Sequence, residues 1–161
     1  MKGNRTKILR NRIAQEAALL LYTSQEKEYK QAKKRAAETL GARMLPSNFE
    51  VAEELDRIAE EREGTQRKEL LLRMRREAKE IMKPLKEFSP HLVGSVWRGT
   101  ARRDSDIDIH MFSDDHLQIM VRLQDHKYRI KSSEHRSVTK GGMKESSFHI
   151  HVILNSGDNV E

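Results

Sequence analysis

The chain has 161 residues, 36% apolar and 35% charged, with a formal net charge of +6 and a pI near 9.6. It has no cysteine, which excludes disulfides and thiolate metal sites, and no apolar run approaches the roughly 20 residues of a membrane span. The basic excess favours a polyanionic partner, a nucleotide or a nucleic acid. The alternative is that solvated Lys/Glu helix faces account for the charge.

The opening is basic, but Arg12, Gln15 and Glu16 break the apolar continuity a signal peptide needs, so the expected location is the cytoplasm. A first helix is expected over about 6–22, because Leu9, Ile13, Ala17, Leu20 and Leu21 recur at helical spacing. A second is expected from Ser24 as N-cap to Leu40, with Gly41 in the left-handed position after it. Its apolar side is sparse: Tyr29, Ala32, Ala36, Ala37 and Leu40. A third opens with the capping box Ser47-Asn48-Phe49-Glu50, buries Val51, Leu55, Ile58 and Ala59, and ends at Gly64. Thr65 caps a fourth, whose seam is Leu71, Met74, Ala78, Ile81 and Leu85. Pro84 must kink it or end it near Met82.

Near residue 88 the composition changes from helical to β-rich, and the order reads β-α-β-β. "HLVGS" is a short strand ending in a turn. In "SDIDIHMF", Ile107, Ile109 and Met111 take one face and Asp106, Asp108 and His110 the other. Ser113 or Asp114 caps a helix to about Leu123, "KYRIKSS" is a strand, Gly141-Gly142 marks a turn, and "SSFHIHVIL" is the last strand. The expected class is therefore α+β: a helical region over 1–87, then a small mixed-sheet core over 88–161 with helices.

Asp106 and Asp108 point the same way from one strand, so they repel each other unless water or a cation sits between them. A hard divalent ion with oxygen ligands, magnesium or manganese, fits that pair. Upstream, Gly94 lets a phosphate approach the backbone and the Ser95 hydroxyl can donate to it. Gly99-Thr100 adds a flexible, donor-rich point, and the guanidinium forks of Arg98, Arg102 and Arg103 match phosphate oxygens. Two carboxylates facing a phosphate cradle are what phosphoryl or nucleotidyl transfer needs.

Val93-Gly94-Ser95, ten residues, then Asp106-Ile107-Asp108-Ile109 resembles the signature of the DNA-polymerase-beta-type nucleotidyltransferase superfamily. Within it, "GSVWRGTARRDSDIDI" is most similar to archaeal tRNA CCA-adding enzymes and related predicted archaeal nucleotidyltransferases, over roughly 88–154. The resemblance implies two divalent metal ions at Asp106 and Asp108, an NTP held by Gly94 and Ser95, and possible RNA or tRNA as acceptor. It also implies a third carboxylate on the last hairpin strand. That register falls on His151, which leaves three readings: His151 serves as ligand or base, the site binds a nucleotide without turning it over, or another acid such as Glu134, Glu145 or Asp158 serves. A histidine ligand would favour manganese.

The expected activity is therefore transfer of a nucleoside monophosphate from an NTP to a hydroxyl. The rivals are a nucleotide- or RNA-binding module that lost turnover and a helical interaction protein regulated by nucleotide. After the last strand, "NSGDNVE" reads as a tail, leaving either a minimal enzyme whose helices grip the acceptor or a piece of a longer protein.

Overall fold

The computed structural model describes residues 2–161. Its elements are α1 (Lys2–Tyr22), α2 (Tyr29–Thr39), α3 (Asn48–Met82), a helical turn Lys86–Phe88, β1 (His91–Val93), α4 (Gly94–Arg98), β2 (Asp108–His110), α5 (His116–Asp125), β3 (Arg129–Lys140), β4 (Met143–Ile153) and β5 (Asn159–Val160). This is the α+β class read from the sequence. Among the described residues, no helix is long and apolar enough to cross a membrane.

The chain divides into two compact units, one ending at Thr65 and one spanning Gln66–Glu161. The run α3 is broken at Gly64, whose φ of 53° and ψ of −129° are non-helical. The division expected at 87/88 follows a change in composition. The second unit begins earlier because Met74, Ala78, Ile81 and Leu85 bury themselves in one core with Ile107, Ile109, Ile119, Leu123, Val152 and Val160. Composition does not carry that tertiary relation.

In the first unit, α1 and α2 pack through small side chains: Ala14, Ala17 and Ala18 in one core with Ala32, Ala36 and Ala37. Val51, Leu55, Ile58 and Ala59 complete that core. The capping box forms as expected: Ser47 N–H donates to Glu50 at 2.6 Å and Glu50 N–H donates to Ser47 Oγ at 3.2 Å. Arg10 also grips Glu50 with two bonds of 2.8 and 2.9 Å. Ser24 is not the N-cap of the second helix. Its φ of 57° turns the chain, and α2 starts five residues later. Gly41, φ 62°, does take the left-handed position after α2.

In the second unit, α3 stops at Met82, two residues before Pro84, whose ring cannot continue the helix. β1 and β2 are antiparallel, in the register His91↔His110, Leu92↔Ile109 and Val93↔Asp108. β3, β4 and β5 form an antiparallel sheet in that order. A parallel bridge between Ile107 and Val160 joins the two sheets. The hairpin β3–β4 is longer than the sequence suggested, and its outer part is exposed. The N-cap of α5 is Asp115, whose side chain accepts from Leu117 N–H at 2.9 Å, rather than Ser113 or Asp114. Two elements were not expected at all, the single turn α4 and the closing strand β5.

Candidate functional site

Ile107 and Ile109 are buried in the core, so the alternating residues Asp106 and Asp108 are turned away from it. Asp108 lies opposite Val93, the last residue of β1, so the chain leaves β1 at Gly94 directly against the Asp108 carboxylate. A Cβ on Gly94 would stand 2.0 Å from Asp108 Oδ2. Gly94 also has φ +69°, a conformation that L side chains rarely adopt. The glycine thus admits the carboxylate beside the turn.

Ser95 follows in α4, and its carbonyl accepts from the backbone N–H of Gly99 and from that of Thr100 at 2.9 Å. This turn is pinned from α3. Arg75 donates to Val96 O and to Trp97 O, each at 3.1 Å, and the buried Arg67 donates to Ala101 O at 2.9 Å.

Glu161 was not singled out in the sequence but lies beside this site. It follows β5, which runs beside Ile107. Ile107 N–H donates to Asn159 O at 2.9 Å, Glu161 N–H to Ile107 O at 2.9 Å, and Ile109 N–H to Glu161 O at 2.8 Å. The backbone therefore seats Glu161 alongside the Asp-Ile-Asp step. Its strand is anchored upstream, where Arg73 forks onto Asp158 at 2.9–3.1 Å. The sequence carries only a local hint of it. "NSGD" is a turn after a strand, and Val160-Glu161 is another apolar-acid step like Ile107-Asp108.

Electrostatics tie the three acids together. Loss of solvating water raises the Asp106 pKa, and the charge of Glu161 adds to this. A hydrogen bond with Asn159 and the charges of His151 and Lys131 oppose it. Asp108 is raised by desolvation, then by Asp106 and Glu161, against the pull of His110 and Arg98. Glu161 thus disfavours ionisation of both aspartates, and Asp106 disfavours that of Asp108. Glu161 itself is met by His149 Nδ1, by His151 Nδ1 at 3.7 Å and by Arg136 at 3.9 Å.

The other residues singled out in the sequence scatter more widely. Arg98 is exposed and close enough for its charge to act on Asp108. Thr100 and Arg103 are exposed, and Arg103 lies 3.7 Å from Asp104. Arg102 is half-buried. Its backbone N–H donates to Ser105 Oγ at 2.9 Å, and its Nε is buried without a hydrogen-bond partner. His151 Nε2 is 3.5 Å from Glu134, which also pairs with Arg136. Glu145 sits on the exposed outer hairpin, and Asp158 is taken by Arg73.

The donor chemistry of Asp106, Asp108 and Glu161 suits hard divalent ions, since all the side-chain donors are oxygens. Their mutual repulsion is what a bound cation would relieve. As the side chains stand, no group of three or more His, Asp or Glu among the described residues is drawn together closely enough to hold an ion. Bringing all three acids onto one ion would require the Glu161 carboxylate to turn from His149 towards the pair.

The α+β unit thus sets an Asp-x-Asp strand against a Gly-Ser turn. Residues 71–146 match the family model of the nucleotidyltransferase domain. The match supports the polymerase-beta-type superfamily and nucleotidyl transfer as the general function. It covers the turn and both aspartates but stops before His149, His151 and Glu161. No curated protein and no solved structure matches the chain.

Proposed function

We propose that the chain is a metal-dependent nucleotidyltransferase that moves a nucleoside monophosphate from an NTP to a hydroxyl, with an RNA 3′ end as acceptor. One observation carries the proposal: the register that sets Asp108 opposite Val93 and against Gly94. In this reading Asp106, Asp108 and Glu161 bind the cations, with Glu161 in the role first sought at His151. Gly94 and Ser95 hold the triphosphate, and Arg98 supplies a guanidinium to it.

The acceptor oxygen attacks the α-phosphorus, the bond to the bridging oxygen of the β-phosphate breaks, and pyrophosphate leaves. The acceptor proton passes to the Glu161 carboxylate once it has turned from His149. When bound, the divalent ions would lower the pKa of the attacking hydroxyl and neutralise charge on the leaving pyrophosphate. Basic charge supports an RNA acceptor: residues 1–46 carry eleven Lys and Arg against four acids. The resemblance of "GSVWRGTARRDSDIDI" to archaeal tRNA CCA-adding enzymes points the same way.

The test is incubation with α-labelled NTPs, magnesium or manganese, and total tRNA. Label entering RNA, and lost in the Asp106→Asn, Asp108→Asn double variant, supports the proposal. A second reading, a binding module without turnover, is favoured by the contact of His149 with Glu161. Metal-dependent NTP binding with no pyrophosphate release would select it.

A further inference from the structure

Trp97 is the only tryptophan of the chain and is 66% exposed. A tryptophan that anchors a loop buries its ring, because so large an apolar surface is costly to leave in water. Among the described residues, no ring or cation contacts the indole. The exposure does not come from a loose backbone. The Trp97 carbonyl accepts from Arg75 at 3.1 Å, the preceding carbonyl accepts from the same guanidinium at 3.1 Å, and the residue before that one is Ser95 of the Gly-Ser turn. Val96 is fully buried, so the backbone carrying the indole is held from below. Within α4, Trp97 and Arg98 stand three and four positions after Gly94, the spacing of neighbours on one helix face. Gly94 is the residue that touches Asp108.

We propose that Trp97 is a stacking platform for a nucleobase at the edge of the phosphate cradle, a reading that rests on the nucleotidyl-transfer site proposed above. A rigidly mounted indole offers a flat face to any of the four bases, so it adds affinity without base selection. The base comes either from the NTP or from the terminal nucleotide of a single-stranded acceptor.

The lone tryptophan reports on itself. Emission is followed in the full chain with magnesium present while ATP, inorganic triphosphate or a short single-stranded RNA is added. Calorimetry measures the same ligands on Trp97→Ala and Trp97→Phe. The expected result is saturable quenching by ATP or by the RNA and none by triphosphate. Trp97→Ala should weaken the quenching ligand by about 5- to 100-fold and leave triphosphate affinity unchanged, with Trp97→Phe recovering most of the loss. Quenching by ATP assigns the base to the NTP, and quenching by RNA alone assigns it to the acceptor. If NTP and RNA bind but Trp97→Ala binds them as the wild type does, the platform is refuted and the transfer site stands. If neither ligand binds at all, both fall together.

Discussion

Replacing Gly94 by alanine tests the geometry of the site at its tightest point. The added Cβ would lie 2.0 Å from Asp108 Oδ2, 3.0 Å from Cγ and 3.2 Å from Cβ. Rotating the carboxylate clears the first contact but not the other two, so β2 or the turn must also shift. The φ of +69° adds about 1–2 kcal/mol for any residue with a Cβ. The melting temperature should then fall by about 2–8 °C. Displacing the carboxylate by an ångström should reduce kcat/KM by about 100-fold. Gly99→Ala is the control. Its φ is +80°, yet the nearest atoms to an added Cβ are Arg75 Nη2 at 3.5 Å and Leu71 Cδ2 at 3.8 Å, which is ordinary contact. It should show the conformational loss of stability without the loss of pyrophosphate release. Wild-type melting and turnover in Gly94→Ala, measured by scanning calorimetry and a coupled pyrophosphate assay, would refute the reasoning.

Both aspartate pKa values are raised, so their ionised forms destabilise the fold at neutral pH, and this is relieved as pH falls through the raised values. Asp106→Asn with Asp108→Asn should therefore raise stability slightly, by less than about 1 kcal/mol given the partial exposure of both groups, while abolishing turnover. Magnesium or manganese should raise the melting temperature of the wild type and leave that of the double variant unchanged. In the first unit, the hydrogen bonds of Arg10 and then of Ser47 hold Glu50 well below its ordinary 4.5, at about 2. The stability this pair contributes is present above 4.5 and lost as pH falls through about 2. Carboxyl-carbon NMR should give Glu50 a midpoint near 2, and in Arg10→Gln that midpoint should move up towards the ordinary value.

Much of this architecture was legible from local rules. The Ser47–Glu50 box, the stop before Pro84 and the alternation around Ile107 and Ile109 follow from capping, ring sterics and the pleat, all properties of neighbouring residues. The α2 start was not, because Ser24 is a favoured cap residue that here takes a left-handed turn. The division into compact units does not follow the change in composition, because the Met74–Leu85 seam looks the same whether it packs on helices or on strands. Glu161 was missed for a related reason. Two residues of strand leave no periodicity to read, and only the pairing of Val160 with Ile107, 53 positions earlier by the numbering, gives that acid its place. The resemblance puts its third acid by register on "FHIHVIL", at His151, whereas the fold brings Glu161 beside Ile107.

The most direct measurement of the central claim compares Glu161→Gln with His151→Ala for transfer of α-labelled NMP to tRNA, in magnesium and in manganese. The account predicts that Glu161→Gln loses transfer in both metals, that His151→Ala retains most of it, and that magnesium serves the wild type as well as manganese does. Full transfer by Glu161→Gln, or a wild type active only with manganese and silenced by His151→Ala, would contradict it.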